Sequence, residues 1–577
     1  MEELRILSRT TEGKSKIRTD EGFYRQLGEL LSRSQVAKEV DDGIATLANL
    51  FSEDSGDGAV LKLCLANVAI FDGIIGRLRA RQSFVYCSVC ITNCWKQGAQ
   101  HRQALVKLGV LEALLTAVDK NASVCVQAMS ALRGMLEDTE EGDGISIVIK
   151  ATDIERICSL ISDSDSSDPQ RAGALRLLIT GPPFVLLKSV EASGSGDVKE
   201  MFSTSIVKGL QSPKLEDSTI VDVVDFIKAT HPTHEWLCRA LVAKSGLIPA
   251  LKTLMVARKA DTSSPVLLSI ADLFASLTAS QPGSEDVFVG IFEQDLDDLW
   301  QDLITSASAM IPHEVSKRVR DQSLVLPHAK LRLSLLTATL HVSTSESRSR
   351  RLVSKQVHQL VSDIAIKYME YDVEAVRCCA NILRNLTLAD SRTVILETAL
   401  PATVSALLRS QDHHTAFIAA GIFRLACSRS GRADRDSWAR LVVDGRDLLA
   451  MLSLDLTRIH PHTRVELARA LAALMEGITA FEGSVPALET VQAVKFVAFL
   501  FEAPQPELHL EALQGLDGLP EEFLKALPSF EIEIVPGTRL VQRLKDIHVA
   551  NRDDLDVKRV AVAASCQKLL LRMGVEV

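Results

Sequence analysis

The chain repeats one helical unit along its length, and this repetition constrains the fold more than any other feature. Three segments share the pattern: 101–136 (HRQALVKLGVLEALLTAVDKNASVCVQAMSALRGML), 238–278 (CRALVAKSGLIPALKTLMVARKADTSSPVLLSIADLFASLT) and 391–427 (SRTVILETALPATVSALLRSQDHHTAFIAAGIFRLAC). Each reads as a short first helix, a turn, an apolar second helix, a polar loop and a longer third helix. One unit cannot cover its own apolar faces, so the pattern predicts stacked units.

The spacing of the third helices extends this pattern over most of the chain. A residue near the centre of each one, usually apolar, recurs about every 40 to 50 residues, with one wider gap of about 63. We call these the anchor residues: Thr92, Leu132, Leu175, Val224, Phe274, Thr337, Leu383, Phe423 and Leu471. A period of this length is typical of helical-repeat arrays. Because aromatic residues make up only 5% of the chain and Leu and Ala dominate its apolar residues, we expect an all-α fold.

The stretches KLGVLEALL, KSGLIPALKTL and CANILRNLTLAD resemble the Gly-x-Ile-Pro-x-Leu and Ala-Leu-x-Asn-Leu signatures of armadillo repeats, the kind found in catenins and importin-α. The resemblance implies a right-handed superhelical α-solenoid of armadillo-type repeats. We predict three regions: an N-terminal tail (1–20), a repeat array (21–515), and a last region (516–577) with an irregular segment and a C-terminal capping helix. The last region contains a strand-like EIEIV and a helix from about Asp553 to Met573.

Charge and cysteine usage narrow the function classes. A formal net charge of −10 provides no general attraction for phosphate backbones, so no nucleic-acid partner is expected. No apolar run is long enough to cross a bilayer and no secretory pattern opens the chain, which predicts a cytoplasmic protein without membrane insertion. The eleven cysteines lie mostly inside apolar helical patterns, and we expect free thiols.

Two groups of residues suggest metal binding at first sight. Cys87, Cys90 and Cys94, followed by His101, contain a C-x2-C pair, but at these spacings the cysteines share one helix face, which favours core positions. The pairs His231/His234, His413/His414 and His460/His462 lack companion ligands at metal-site spacing and are interpreted as surface histidines. We therefore predict no metal site and no cofactor. No nucleophile elbow, HExxH motif or nucleotide-binding glycine pattern is present, so no catalytic residue and no enzyme activity are predicted.

An arginine directly follows the anchor residue in four third helices, at Arg133, Arg176, Arg384 and Arg424. Repeated at one register along a groove, these guanidinium groups would donate to carboxylates of an extended acidic partner segment. The alternative is that arginine is simply a good former of exposed helix. In catenin-like repeats the corresponding Arg-Asn pair faces the concave groove, so the resemblance places Arg384 and Asn385 there.

The predicted function is a non-catalytic scaffold or adaptor that holds partner proteins along the groove. The chain also resembles armadillo-type stimulators of nucleotide release from small GTPases, which makes a regulator of a small GTPase the first alternative. The second is a myosin or client-protein co-chaperone, although the chain lacks room for an amino-terminal tetratricopeptide module. Importin-like receptors for basic peptides use repeated Trp and Asn pairs in the groove. Because only Trp95 lies in a clear third-helix position, such a receptor is disfavoured.

Overall fold

The computed structural model describes residues 1–33, 36–52, 58–139, 147, 149–181, 184–279, 284–309, 322–398, 400–427, 459–480, 491–535 and 537–576. Helices account for nearly all regular structure in these ranges, which confirms the all-α prediction. In chain order the α-helices are α1 (Glu2–Leu7), α2 (Thr11–Arg18), α3 (Glu21–Arg33), α4 (Ala37–Phe51), α5 (Ala59–Ala66), α6 (Ala69–Arg79), α7 (Phe84–Lys96), α8 (Ala99–Lys107), α9 (Val110–Thr116), α10 (Cys125–Glu137), α11 (Ala151–Ser162), α12 (Asp168–Leu178), α13 (Val185–Ser193), α14 (Gly196–Leu210), α15 (Asp217–Thr230), α16 (Glu235–Arg239), α17 (Leu247–Arg258), α18 (Pro265–Thr278), α19 (Ser284–Glu293), α20 (Leu296–Ala307), α21 (Gln322–Val342), α22 (Glu346–Ser354), α23 (Val357–Tyr368), α24 (Val373–Ala389), α25 (Ser391–Glu397), α26 (Leu400–Leu408), α27 (His413–Cys427), α28 (Pro461–Ala480), α29 (Val491–Ala498), α30 (Pro506–Asp517), α31 (Glu521–Ala526), α32 (Leu540–Asn551) and α33 (Val557–Arg572).

Shorter elements complete the described structure. A π-helical turn, Ala240–Lys244, continues α16, and 3-10 turns occupy Phe499–Glu502 and Leu527–Phe530. Two short strands, β1 (Glu533–Val535) and β2 (Thr538–Arg539), pair antiparallel. The strand-like EIEIV of the sequence thus forms half of a small hairpin.

The third helices are α4, α7, α10, α12, α15, α18, α21, α24, α27, α28, α30 and α33, and every anchor residue lies in one of them. The apolar anchors are at most 3% exposed, as expected for the core between stacked repeats. Thr92 and Thr337 are half-buried instead, and the fully buried residues are Ile91 and Leu336, one position earlier. In those two repeats the buried position equivalent to the other anchors therefore lies one residue before the threonine.

The chain divides into two compact units. Unit 1 comprises Met1–Arg258, Pro265–Leu273 and Gln281–Gln294, and unit 2 comprises Lys259–Ser264, Phe274–Ser280 and Asp295–Val577. In unit 1 the third helices α4, α7, α10, α12 and α15 pack in sequence order, and in unit 2 α21, α24, α27, α28, α30 and α33 do the same. Each of these third helices therefore buries its apolar face against its sequence neighbours, as stacked helical repeats require.

The turn between first and second helices explains the glycines of the repeat signature. Gly109 and Gly246 stand directly before α9 and α17 with φ of 76° and 78°, in the left-handed region that glycine enters without strain. The corresponding positions before α20 and α23 hold Asp295 and Gln356, with φ of 48° and 61°. The residue before the second helix thus adopts a left-handed φ even where it is not glycine.

Both ends of the chain are helical. Residues 1–20, predicted as a tail, contain α1 and α2, and Arg5 forms an ion pair with the buried Asp42 of α4 at 3.0 Å. At the other end α30 runs across residue 515, and the last helix packs on it through Lys568 and Arg572, which both pair with Asp517. A final helix close to the predicted Asp553–Met573 is confirmed, as α33.

Candidate functional site

A cavity of about 280 Å³ opens on the third helices of unit 1 and brings two of the predicted arginines together. Arg133 of α10 and Arg176 of α12 both line it, and α15 completes the wall. The described side chains around it are Glu137, Ile179, Thr180, Phe184, Asp222, Asp225, Phe226 and Ala229, with Gly181 contributing backbone. Two of the four arginines at the predicted register therefore line one cavity.

Two phenylalanines form the apolar part of this cavity. Phe226 of α15 is 5% exposed, and Phe184, directly before α13, meets it edge-on with ring centroids 5.8 Å apart and an interplanar angle of 71°. Phe184 has a left-handed φ of 53°, an uncommon conformation for a bulky residue. The two rings give the cavity an apolar surface beside its charged side chains.

Carboxylates of the chain itself already engage the two arginines. Arg133 donates from Nε to Glu137 at 2.6 Å, one turn along the same helix. Arg176 donates to Thr219 at 2.9 Å and to Glu216 at 2.7 Å, both from the next repeat. The arginines are thus held in place, and less of their charge is available to a partner than the sequence suggested.

Two further carboxylates give the rim an acidic side. Asp222 and Asp225 are exposed residues of α15. Asp225 accepts a hydrogen bond from Ser269 at 2.8 Å, whereas Asp222 has no hydrogen bond or ion pair among the described residues. Sequence reasoning followed arginine at one register and therefore missed both carboxylates. In α15 the position that holds arginine in α10 and α12 is occupied by Asp225.

The remaining predicted residues lie in unit 2. Arg384 of α24 is exposed and has no ion pair among the described residues; its side chain lies over Gly421 of α27, where an added methyl group would come within 3.7 Å of its Nε. Asn385 is half-buried and donates to Ser343 of the preceding repeat at 3.0 Å. Arg424 pairs with Glu466 of α28 at 2.6 Å. Of the four arginines at the predicted register, Arg384 is the residue with the most accessible charge.

Ion pairs between consecutive repeats are a general feature of the described structure, and two of the four arginines at the predicted register, Arg176 and Arg424, take part in them. Examples about one repeat apart are Arg176 with Glu216, Arg332 with Asp372, Arg377 with Asp412, Arg424 with Glu466, and Arg469 with Glu511. Hydrogen bonds to Glu511 raise the pKa of Arg469. Burial pushes the pKa of Asp412 upward, but hydrogen bonds from Thr415 and Arg377 outweigh it and hold this pKa well below its usual range. These pairs connect neighbouring third helices.

The cysteine pattern belongs to the core, as predicted. Cys87, Cys90 and Cys94 are all 0% exposed on α7, and burial raises the pKa of Cys87 to about 12. His101 is 1% exposed and packs edge-on against Phe51. All eleven cysteines are free thiols, which confirms that prediction, and only Cys378 among them is not fully buried. A neutral, inaccessible thiol is a poor metal ligand and a poor nucleophile.

The histidine prediction holds for one group and fails for another. His413, His414, His460 and His462 are exposed, as predicted. His231 is only 6% exposed, and His234 is largely buried and shares the carboxylate of Glu191, at 2.6 Å, with Trp236. The prediction was wrong there because the companion carboxylate comes from a helix about one repeat earlier.

An acidic cluster in unit 2 is neutralised by cations of the chain. Asp295, Asp297 and Asp298 bring carboxylate oxygens within 4.8 Å of one another. Arg351 pairs with Asp297 at 3.1 Å, and Lys355 pairs with Asp298 at 2.6 Å. This cluster is therefore a connection between α20 and the end of α22.

The fold and these surfaces define an all-α protein of stacked helical repeats. Similar solved structures include an engineered protein (15% identity, covering 86% of this chain and 98% of that one, TM-score 0.38). A chain from a study of the phosphorylation switch controlling the interaction between cadherin and beta-catenin has 13% identity, 96% and 91% coverage and a TM-score of 0.45. UNC-45 from Drosophila melanogaster has 11% identity, 95% and 82% coverage and a TM-score of 0.29. Likenesses at this level carry no information about binding.

No protein-family description matches the sequence. No characterised protein matches it by sequence. Within the described ranges no single helix is both long and apolar enough to cross a bilayer, although two bent helix pairs meet the criteria jointly, by length and composition only: Ala59–Ala66 with Ala69–Arg79, and Glu235–Val242 with Leu247–Arg258.

Proposed function

We propose that the chain is a non-catalytic scaffold that binds partner proteins along the exposed faces of its third helices. The observation that carries this proposal is the unit 1 cavity, where Arg133 and Arg176 lie next to the apolar side chains of Phe184 and Phe226. Its volume of about 280 Å³ lies just below the range of about 300–1,000 Å³ typical of small-molecule sites and suits one large side chain. An extended partner segment would insert that side chain against Phe184 and Phe226.

The charges around the cavity suggest what flanks the inserted side chain. Two arginines face three carboxylates in the lining, and both arginines already have carboxylate partners. The unpaired carboxylate of Asp222 would attract a basic residue next to the apolar anchor. In unit 2 the exposed Arg384 offers the opposite charge, so an acidic segment of a partner would bind there.

A cavity-filling variant tests the proposal. Gly181 lines the cavity, and a Cβ added to it meets no atom within 4 Å, so Gly181→Leu fills the space without a clash at the backbone. The matched control is Gly76→Leu on α6, where an added Cβ likewise meets nothing. We expect Gly181→Leu to reduce recovery of a direct partner at least about tenfold, as loss of a buried anchor does, and Gly76→Leu to leave it unchanged.

The measurement is quantitative affinity purification from native extract, followed by binding of the recovered protein to the purified chain. Ala229→Arg, at an exposed rim position, serves as a second variant if Gly181→Leu fails to fold. Equal recovery by the wild-type chain and both cavity variants, all folded by circular dichroism, would contradict a binding role for the cavity.

The alternatives differ in what happens to the bound protein. A regulator of a small GTPase would accelerate nucleotide release from its partner, and a co-chaperone would suppress aggregation of a myosin or another client. A scaffold would do neither and would bind stoichiometrically. Nucleotide-release and aggregation assays on the recovered partner therefore separate the three.

A further inference from the structure

Three exposed histidines from two consecutive repeats converge in unit 2. His413 is the first residue of α27, His460 directly precedes α28, and His462 is the second residue of α28. They are 47 and 49 positions apart in the sequence, and the stacking of the two third helices brings them together. No part of the proposed scaffold function uses them.

Two of the three ring separations in this cluster match those of imidazoles around a metal ion. The ring centroids of His413 and His460 are 5.6 Å apart, and those of His460 and His462 are 5.3 Å apart. Two imidazoles bound to one Zn²⁺ with Zn–N bonds of about 2.1 Å, at the tetrahedral angle, have centroids roughly 5.2 Å apart. His460 is the central ring and has the required separation from both neighbours.

The three imidazoles are also available as ligands. None of them has a hydrogen bond or an ion pair among the described residues; their contacts are with one another and with Phe417, whose ring packs edge-on against His462 at 6.5 Å. Other histidines of the chain are engaged, such as His234 by Glu191 and the fully buried His358 by Glu397. The nitrogens of the three rings do not all lie within 4.8 Å of one another, so metal binding requires rotation about the side-chain torsions, which exposed rings undergo at low cost.

The surroundings oppose any cation that lacks strong ligands. The N-terminal ends of α27 and α28 carry partial positive charge, and the nearby carboxylate of Asp412 is already bound by Arg377 and Thr415. A hard cation such as Ca²⁺ or Mg²⁺, which requires oxygen ligands, does not fit the cluster. Imidazole nitrogen favours Zn²⁺ and its transition-metal neighbours.

We propose that His413, His460 and His462 form a surface site for Zn²⁺, completed by water, that ties two consecutive repeats together. The ion bridges the N-terminal ends of α27 and α28. Its effect is to stabilise the stacking of these helices, since an ion that binds only the folded arrangement favours it by mass action.

Isothermal titration of the untagged full chain with Zn²⁺ tests the site, together with thermal unfolding at saturating Zn²⁺. We expect saturable binding of one ion and a higher unfolding temperature for the wild type. His460→Ala should weaken the affinity about tenfold or more and abolish the thermal shift, because it removes the central ligand. His414→Ala is the matched control, since His414 is an exposed neighbour on the same helix turn with no ring contact to the cluster, and it should behave as the wild type.

Two outcomes would overturn the proposal. One is a wild-type chain that shows no saturable binding of Zn²⁺. The other is unchanged binding in His460→Ala and in the triple variant His413→Ala, His460→Ala, His462→Ala. Because unfolded chains expose eleven thiols that also bind Zn²⁺, each sample is first shown to be native by circular dichroism.

Discussion

Arginine has two different roles in this chain, and exposure separates them. Arg332 is 4% exposed, pairs with Asp372 at 2.5 Å and places its guanidinium 3.9 Å from the ring centroid of Tyr368. Arg384 lies at the surface and has no described ion pair. The first residue holds neighbouring repeats together, whereas the second is available to a partner.

Replacing these two arginines should therefore have unequal effects on stability. Arg332→Leu leaves Asp372 partly buried without its cation, and we expect a loss of about 3 kcal/mol. Arg384→Leu should change the free energy of unfolding by less than about 0.5 kcal/mol, as at other exposed positions. Urea-unfolding midpoints of the two variants provide the comparison. Equal destabilisation would show that Arg384 also has a structural role.

At the scale of elements, the turn between first and second helices requires the same backbone conformation in different repeats. The residue before the second helix adopts a left-handed φ whether it is Gly246 or Gln356. A non-glycine residue is strained there, while glycine costs more backbone entropy on folding. The strain is local, since Gln356 is exposed and a Cβ added to Gly246 meets no atom within 4 Å.

Exchanging residues at these two turns tests that account. Gly246→Ala should lower stability by about 1 kcal/mol, because it introduces a left-handed alanine. Gln356→Gly should be neutral or stabilising by up to about 1 kcal/mol, because it removes the same strain. Thermal unfolding of both variants decides the matter. A destabilised Gln356→Gly together with a neutral Gly246→Ala would refute the shared geometry.

For the whole molecule, buried thiols make stability sensitive to alkaline pH. Burial raises the pKa of Cys87 and Cys158 to about 12 and that of Cys238 to about 11, from an ordinary value of 9.0. Below pH 9 these thiols are protonated in both the folded and unfolded states, so their contribution to stability is fully present. Above pH 9 the unfolded chain releases protons that the folded chain retains, and stability falls as pH rises toward the folded pKa values.

We expect the urea midpoint to decrease between pH 9 and pH 10.5, with each buried thiol contributing up to about 1.4 kcal/mol per pH unit. Other groups titrate in this range, so the decisive comparison is with Cys158→Ala. This variant should show a smaller decrease than the wild type over the same interval. Parallel pH profiles would mean that ionisation of Cys158 is not linked to unfolding.

The candidate site was predictable only in part. The four arginines of the predicted register lie on third helices, and two of them, Arg133 and Arg176, line one cavity. Their carboxylate partners were missed, because Glu216 is 40 residues from Arg176 and no local pattern links the two. Phe184 was missed for a related reason, since its place in the cavity depends on a left-handed turn that the sequence does not signal with glycine.

The sequence by itself determined the helices, their repetition and the residues that form the core. Apolar periodicity acts within a few residues, so it fixes which face of each helix is buried, including that of Cys87, Cys90 and Cys94. The tertiary structure decided which charged and polar side chains meet across repeats. Arg424 pairs with Glu466, and the ring of His413 contacts that of His460, only when neighbouring third helices stack at a particular register. That register results from side-chain packing between repeats, and a local sequence pattern does not contain it.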